Sequence, residues 1–234
     1  MTRVVISVGG SVLVPTLETH RLMEWADALK TLVKAGHQVF AVVGGGGEAR
    51  RYIKVCRDIG LDEASADEFG ILITRINARL LIAALGEYAY PRVSESYLDA
   101  KEFALTGKVV VMGGVTPGQT TDAVAACLAE ETCASMMINM TAIDGIYSAD
   151  PKKDPAAVKY DTLGPQALID LIMKEKLCAG SNMVIDLVAA KITERSGIPM
   201  VVIDGRDPSL ICRAILDGEF TGTVVGDKAV TFPL

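Results

Sequence analysis

The chain has 234 residues, half of them hydrophobic, and a net charge of −6, so it can bury a large core and lacks the basic balance that nucleic acid binding requires. Five widely spaced cysteines without a C-x-x-C pair, and only two histidines, argue against a zinc site or a disulfide framework and point to buried thiols in a reducing cytosol. The N-terminus enters an apolar run at once, without the pattern of a secretory leader, and no apolar run is expected to span a membrane.

Taken in order, the pattern predicts a strand over Arg3 to Val8, a helix over Glu18 to Ala35 and a strand over Gln38 to Val43. Helices follow over Glu48 to Ile59 and Gly70 to Leu85, then a strand over Lys108 to Met112, a helix over Thr121 to Glu131 and a strand over Ser135 to Met140. Prolines and charges mark Ala149 to Gly164 as a long surface loop. Helices over Pro165 to Lys174 and Ile185 to Ser196, a strand over Met200 to Ile203 and a closing hairpin or edge strand within Thr221 to Asp227 complete the chain. Four of the five main strands are almost uninterrupted in apolar residues, as strands buried on both faces are. The fold expected is α/β, a three-layer α/β/α sandwich around a largely parallel sheet. No linker-like tract divides it, so residues 1–234 are expected to form one domain.

In such a sheet, ligands bind beyond the carboxyl ends of the strands. Those positions hold Gly9, Gly10 and Ser11 after the first strand, Gly44 to Gly47 after the second, Gly113 to Asp122 after the third and Thr141 to Tyr147 after the fourth. Glycine lets backbone approach a phosphate closely, and the free amides of a following helix favour negative charge. Several such turns on one edge suggest a polyphosphate, or two phosphorylated ligands.

Gly44, Gly46 and Ala49 also satisfy G-x-G-x-x-A, a form of the dinucleotide fingerprint. That fingerprint belongs to the first strand's turn and is followed by an acidic residue ending the next strand; here the run follows the second strand, and DEASADE reads as a helix entry. No G-x-x-x-x-G-K-[ST] is present, so a P-loop enzyme is excluded on pattern.

Read together, SVGGSVL from Ser7, VVGGGGEARRYI from Val42, DEFGILITRINARLLIAAL from Asp67, VMGGVTPGQTTDAVAA from Val111, IDGIYSADPKKDP from Ile143, AGSNMVIDLVAAKI from Ala179 and a C-terminal G-T resemble the amino-acid kinase superfamily, and within it the UMP kinases of the archaeal type. The matches run in family order over nearly the whole chain. The resemblance implies phosphoryl transfer from ATP to UMP, giving ADP and UDP in pyrimidine nucleotide biosynthesis. It implies Mg²⁺, and a cytoplasmic homohexamer built from dimers. The acceptor half would be roughly 1–130 and the ATP half roughly 131–234.

Carried over by position, the resemblance sets Gly9, Gly10 and Ser11 against the ATP phosphates, with Gly46 and Arg50 also touching ATP. Gly45 would face UMP, Asp67 its ribose, and Val115, Thr116, Pro117, Gly118, Gln119, Thr120 and Thr121 its base and phosphate. Thr141, Tyr147 and Asp150 would hold the adenosine end of ATP. Mg²⁺ would be held mainly by phosphates and water, with no dedicated protein ligands.

Each role has a plainer alternative. Arg50 adds a bidentate phosphate contact or is a solvated helix arginine like its neighbours. Asp67 binds ribose or caps a helix beginning near Gly70. Arg75 meets the acceptor phosphate or lies at a surface or interface. Thr120 or Thr121 is an N-cap, which does not exclude ligand contact, and Asp122 complements the helix dipole. Tyr147, an aromatic in a polar loop, reads as a nucleotide contact. Replacing Gly45 or Gly46 is expected to abolish transfer while leaving the fold largely intact.

Three positions depart from the family pattern: Ser7 stands where many superfamily kinases have lysine, Ala142 where asparagine is usual and Leu187 where proline is usual. Lys152, Lys153 and Lys191 are nearby cations that read as solvated. Three other readings compete: another small phosphate or carboxylate acceptor on the same scaffold, a non-catalytic nucleotide-binding member, and a nicotinamide enzyme. VTPGQTTD favours a nucleotide monophosphate over the first.

Overall fold

The computed structural model describes residues 2–151, 153–176, 185–219, 221–227 and 232–233. Lys152 and the 179–184 part of the family resemblance lie outside them. The five predicted strands are present as β1 (Arg3–Val8), β2 (Gln38–Val43), β3 (Val110–Met112), β4 (Met136–Thr141) and β8 (Met200–Asp204). They pair in parallel in the order β3-β2-β1-β4-β8. All carboxyl ends therefore open on one edge.

The sheet is completed by residues that read as loop and edge. β9 (Thr223–Val225) runs antiparallel to β8, and β7 (Thr162–Leu163) adds outside it, parallel to β9. The expected C-terminal edge strand is thus internal, and the predicted loop from Ala149 supplies the true edge. The same loop contributes β6 (Lys159–Tyr160), paired with β5 (Ile146–Tyr147) in a small hairpin. Segments of two residues are too short to carry an alternating pattern, which is why the sequence did not show them.

Alternation along the strands divides the core in two. Val4, Ile6 and Val8 face α2 (Thr19–Lys34), α4 (Glu63–Leu85) and α9 (Ser209–Cys212), where Trp25, Leu29, Leu81 and Ile211 are fully buried. Val5, Phe40 and Val42 face α5 (Tyr97–Ala104), α6 (Thr121–Glu131), α7 (Pro165–Lys176) and α8 (Leu187–Ser196) through residues such as Leu128, Ile172 and Ala189. Two short-range elements bear on the candidate site: α1 (Gly10–Leu13) directly after β1, and α3 (Gly46–Asp58), which packs on α4.

α4 begins seven residues before the expected start at Gly70. Its N-cap is Asp62, whose carboxylate accepts from the Ser65 amide at 2.9 Å and from the Ser65 hydroxyl at 2.8 Å. Contrary to the sequence expectation, Glu63–Tyr88 is long and apolar enough, by length and composition, to match a membrane span. The reason is local: one face of α4 covers the sheet, and the other exposes Phe69, Leu72 and Ile76.

Candidate active site

The loops after β1, β2 and β8 continue the ladder beyond the sheet. Gly9 N donates to Met140 O at 3.0 Å, Gly44 N to Val8 O at 2.9 Å and Gly205 N to Thr141 O at 2.7 Å. The first two glycine loops then pack backbone on backbone. A Cβ on Gly10 would fall on Gly46 N and 2.5 Å from Gly44 O; one on Gly44 would lie 2.6 Å from Gly10 N. Gly46 has a φ of 64°, and its Cβ would meet Gly10 C at 2.8 Å. A Cβ on Gly45 would collide with the Ala49 methyl. Glycine is required here for close approach of chain to chain, so the expectation that Gly45 or Gly46 can be replaced with the fold intact does not hold.

Gly46 starts α3, whose first amides lack partners within the helix and face the carboxyl edge of the sheet. Of the cations on that helix, Arg51 pairs with Glu48 at 2.7 Å, Lys54 with Asp58 at 2.5 Å and Arg57 with Glu63 at 2.6 Å. Arg50 makes no ion pair among the described residues and is exposed one turn from the glycines. That distinguishes it from its neighbours on the helix. Ser11 is exposed in α1 beside the same loops.

The loop after β3 is held as a tight turn. Gln119 N donates to Thr116 O at 3.3 Å across Pro117 and Gly118, and Gly118 has a φ of 79°, as the third position of a type II turn demands. Its tip is tied to α4, because Gly118 N donates to Asp67 Oδ2 at 2.8 Å. Asp67 lies within α4 and is not its cap, which corrects the alternative reading of this residue. Thr120 is the N-cap of α6, accepting from Ala123 N at 3.2 Å, and its hydroxyl also donates to Asp186 Oδ2. Val115, Pro117 and Thr121 are half-buried along the loop, whereas Thr116 and Gln119 are exposed.

On the other side of the edge, Thr141 ends β4, and the Tyr147 hydroxyl donates to Asp144 Oδ1 at 2.8 Å. Lys159 Nζ lies 3.3 Å from Asp144 Oδ2. Burial pushes the Asp144 carboxyl up, but the Tyr147 and Lys159 contacts outweigh it and leave the group below its ordinary value. Asp150 anchors the following turn, its carbonyl accepting from Lys153 N and Asp154 N, both at 2.9 Å. The expected site residues therefore lie on the carboxyl-end loops and the helices adjoining them, in two groups flanking the two glycine loops.

A profile of the amino acid kinase family matches residues 2–204. The chain belongs to the amino acid kinase family. It is 76% identical to the uridylate kinase of Methanocorpusculum labreanum over the whole of both chains, and 56% identical to that of Methanoculleus marisnigri over 99% of this chain and 98% of the relative. The crystal structure of the uridylate kinase from Archaeoglobus fulgidus superimposes with a TM-score of 0.85 at 48% identity, covering 95% of this chain and 99% of that one. The UMP kinase from Bacillus anthracis superimposes with a TM-score of 0.83 at 25% identity, covering 97% of each.

As an amino acid kinase, the chain shows where its departures from the family pattern lead. Ser7, fully buried on β1, donates to Asp122 Oδ1 at 2.7 Å. Burial pushes the Asp122 carboxyl up to about 6, with the charge of Asp186 adding to the rise and the hydrogen bond from Ser7 opposing it. Asp122 is thus more than a dipole-complementing residue of the first turn: it ties β1 to α6 through Ser7. Asp186, the N-cap of α8, accepts from Ala189 N at 2.9 Å and bridges to Thr120. Neither carboxylate was singled out as a site residue, because their partners lie far away in sequence. Leu187 is the first helical residue of α8, where an amide has no intrahelical partner, so leucine replaces the usual proline without a lost bond. Ala142 is exposed and Lys191 pairs with Glu194 at 3.0 Å. Arg75 is committed within the protein, its Nε 3.3 Å from Gly114 O and its Nη1 2.7 Å from Glu95.

Proposed function

We propose that this amino acid kinase transfers the γ-phosphoryl group of ATP to UMP, giving ADP and UDP. The observation that carries the reading is the packing of the Gly9–Gly10 and Gly44–Gly46 loops at one sheet edge, flanked by an acceptor-side loop and a donor-side loop, in a chain 76% identical to a uridylate kinase. Phosphoryl transfer asks little covalent chemistry of a protein; it needs two anions aligned and the moving charge neutralised. In this reading the amides of Gly9, Gly10 and Gly46 cradle the donor phosphates with Ser11 beside them, and Arg50 adds a guanidinium. Gly45 faces the acceptor phosphate. Asp67 turns from the Gly118 amide toward the ribose hydroxyls, Val115 to Thr121 enclose the UMP base and phosphate, and Thr141, Tyr147 and Asp150 hold adenosine.

Among the described residues, no group of three or more histidines, cysteines, aspartates or glutamates is arranged to hold a metal ion. In this reading Mg²⁺ is bound mainly through phosphate oxygens and water, where it would neutralise developing charge. We further propose one domain, with the acceptor half roughly 1–130 and the ATP half roughly 131–234, working in the cytoplasm in pyrimidine nucleotide synthesis. Oligomerisation is supported by the outer face of α3 and α4, where Tyr52, Val55, Ile59, Phe69, Leu72 and Ile76 are exposed together. A self-complementary pairing of these helices makes a dimer, and three dimers make the hexamer.

A coupled assay of UMP, CMP and dUMP with Mg-ATP tests the activity, with UMP-dependent ADP formation expected. Turnover with acetylglutamate and none with UMP would replace the acceptor. Binding of UMP and ATP without any UDP would make the chain a non-catalytic member.

A further inference from the structure

A loop of consecutive glycines has no side chains to lock it, yet in-line transfer tolerates little misplacement of either phosphate. The locks come from one turn of α4. Thr74 and Asn77, three residues apart and so on one helix face, are 6% and 5% exposed. Thr74 Oγ1 donates to Ile71 O at 2.6 Å and accepts from Gly114 N at 2.7 Å. A Cβ on Gly113 would lie 2.6 Å from the same oxygen, so the loop after β3 is seated directly on this hydroxyl. Asn77 Nδ2 donates to Gly44 O at 3.0 Å and lies 3.5 Å from Gly45 O. One rigid helical turn therefore grips both the acceptor-side loop and the glycine loop that separates the two phosphates.

We infer that Thr74 and Asn77 are positioning residues for phosphoryl transfer, Thr74 setting the acceptor loop and Asn77 the glycine loop, an inference that rests on the UMP kinase reading above. Neither side chain is assigned a ligand. Both act through the backbone they hold, and a buried amide or carbonyl left without its partner shifts until it finds another.

The test is steady-state kinetics of the full-length enzyme with UMP and Mg-ATP. Thr74→Val, which keeps the volume and removes the hydroxyl, is expected to raise the KM for UMP about tenfold while the KM for ATP stays within about twofold. Thr74→Ser is expected to restore the wild-type value. Asn77→Leu is expected to lower kcat about tenfold with both KM values little changed. Should Thr74→Val fail to fold, Thr74→Cys keeps the volume with a weaker acceptor and is expected to give an intermediate KM for UMP. Variants that melt earlier but keep every kinetic constant within about twofold of wild type overturn the inference, as does an equal rise in both KM values. Wild-type protein that forms no UDP in the same assay overturns the function itself, and this inference with it.

Discussion

Gly10, Gly44 and Gly46 share one constraint: at each, the backbone of the facing glycine loop occupies the space that a methyl group would need. Gly46→Ala adds that collision to a φ of 64°, so unfolding free energy is expected to fall by about 2 kcal/mol or more, together with activity, in urea titration. Gly47, whose Cβ would meet nothing within 4 Å, is the control. Gly47→Ala in the first turn of α3 is expected to be neutral or stabilising by about 0.5 kcal/mol. Asp122 makes a residue-scale prediction about pH. Its carboxyl titrates near 6 when folded, above the ordinary value of 3.8, so the native state holds its proton longer than the unfolded chain does. This group's contribution to stability is full below the unfolded value and is lost as pH rises through about 6, by about 2 to 3 kcal/mol. Urea midpoints of wild type and Asp122→Asn from pH 4 to 7 are expected to diverge with that sign, the variant lacking the decline.

At the scale of elements, α4 organises the site. Its inner face carries Asp67 to Gly118, Thr74 to Gly114 and Asn77 to Gly44, so the glycine loops borrow their order from a helix with a core of its own. The sequence marked DEASADE as a helix entry but placed the helix itself from Gly70 onward, where apolar spacing begins. The first two turns hold only small or charged residues as far as Phe69, so no amphipathic pattern marks them. They depend on the Asp62 cap. Asp62→Ala is expected to cost about 1 kcal/mol in thermal or urea unfolding. α6 shows the opposite case: Thr120 followed by an apolar run is a complete local start signal, and the cap lies where it was read.

For the whole molecule, the exposed stripe of Phe69, Leu72 and Ile76 on α4, beside Tyr52, Val55 and Ile59 on α3, is the feature a lone chain does not explain. Sedimentation velocity is expected to give a multiple of the 24.8 kDa chain mass for the wild type, and a smaller species for Leu72→Glu with Ile76→Glu. A wild type that sediments as a single chain would sink the dimer. Because α4 touches the glycine loops on one face and offers this stripe on the other, assembly and site geometry meet on one helix.

The sequence alone determined what local signals encode: five strands, four of them with the near-continuous apolar runs of strands buried on both faces, the helices between them, and glycine-rich turns at their carboxyl ends, from which the family and its chemistry could be read. Apolar runs, caps and glycines carry that information within a few residues. Tertiary structure alone decided the contacts that join distant segments: Ser7 to Asp122 across 115 positions, Thr120 to Asp186 across 66, Asp67 to Gly118 across 51 and Thr74 to Gly114 across 40. It also set the order at the sheet's end, where β9 pairs with the edge of β8 and the two-residue β7 pairs in turn with β9. Each of these depends on where the completed sheet and helices bring the chain, and no spacing along a single segment records it.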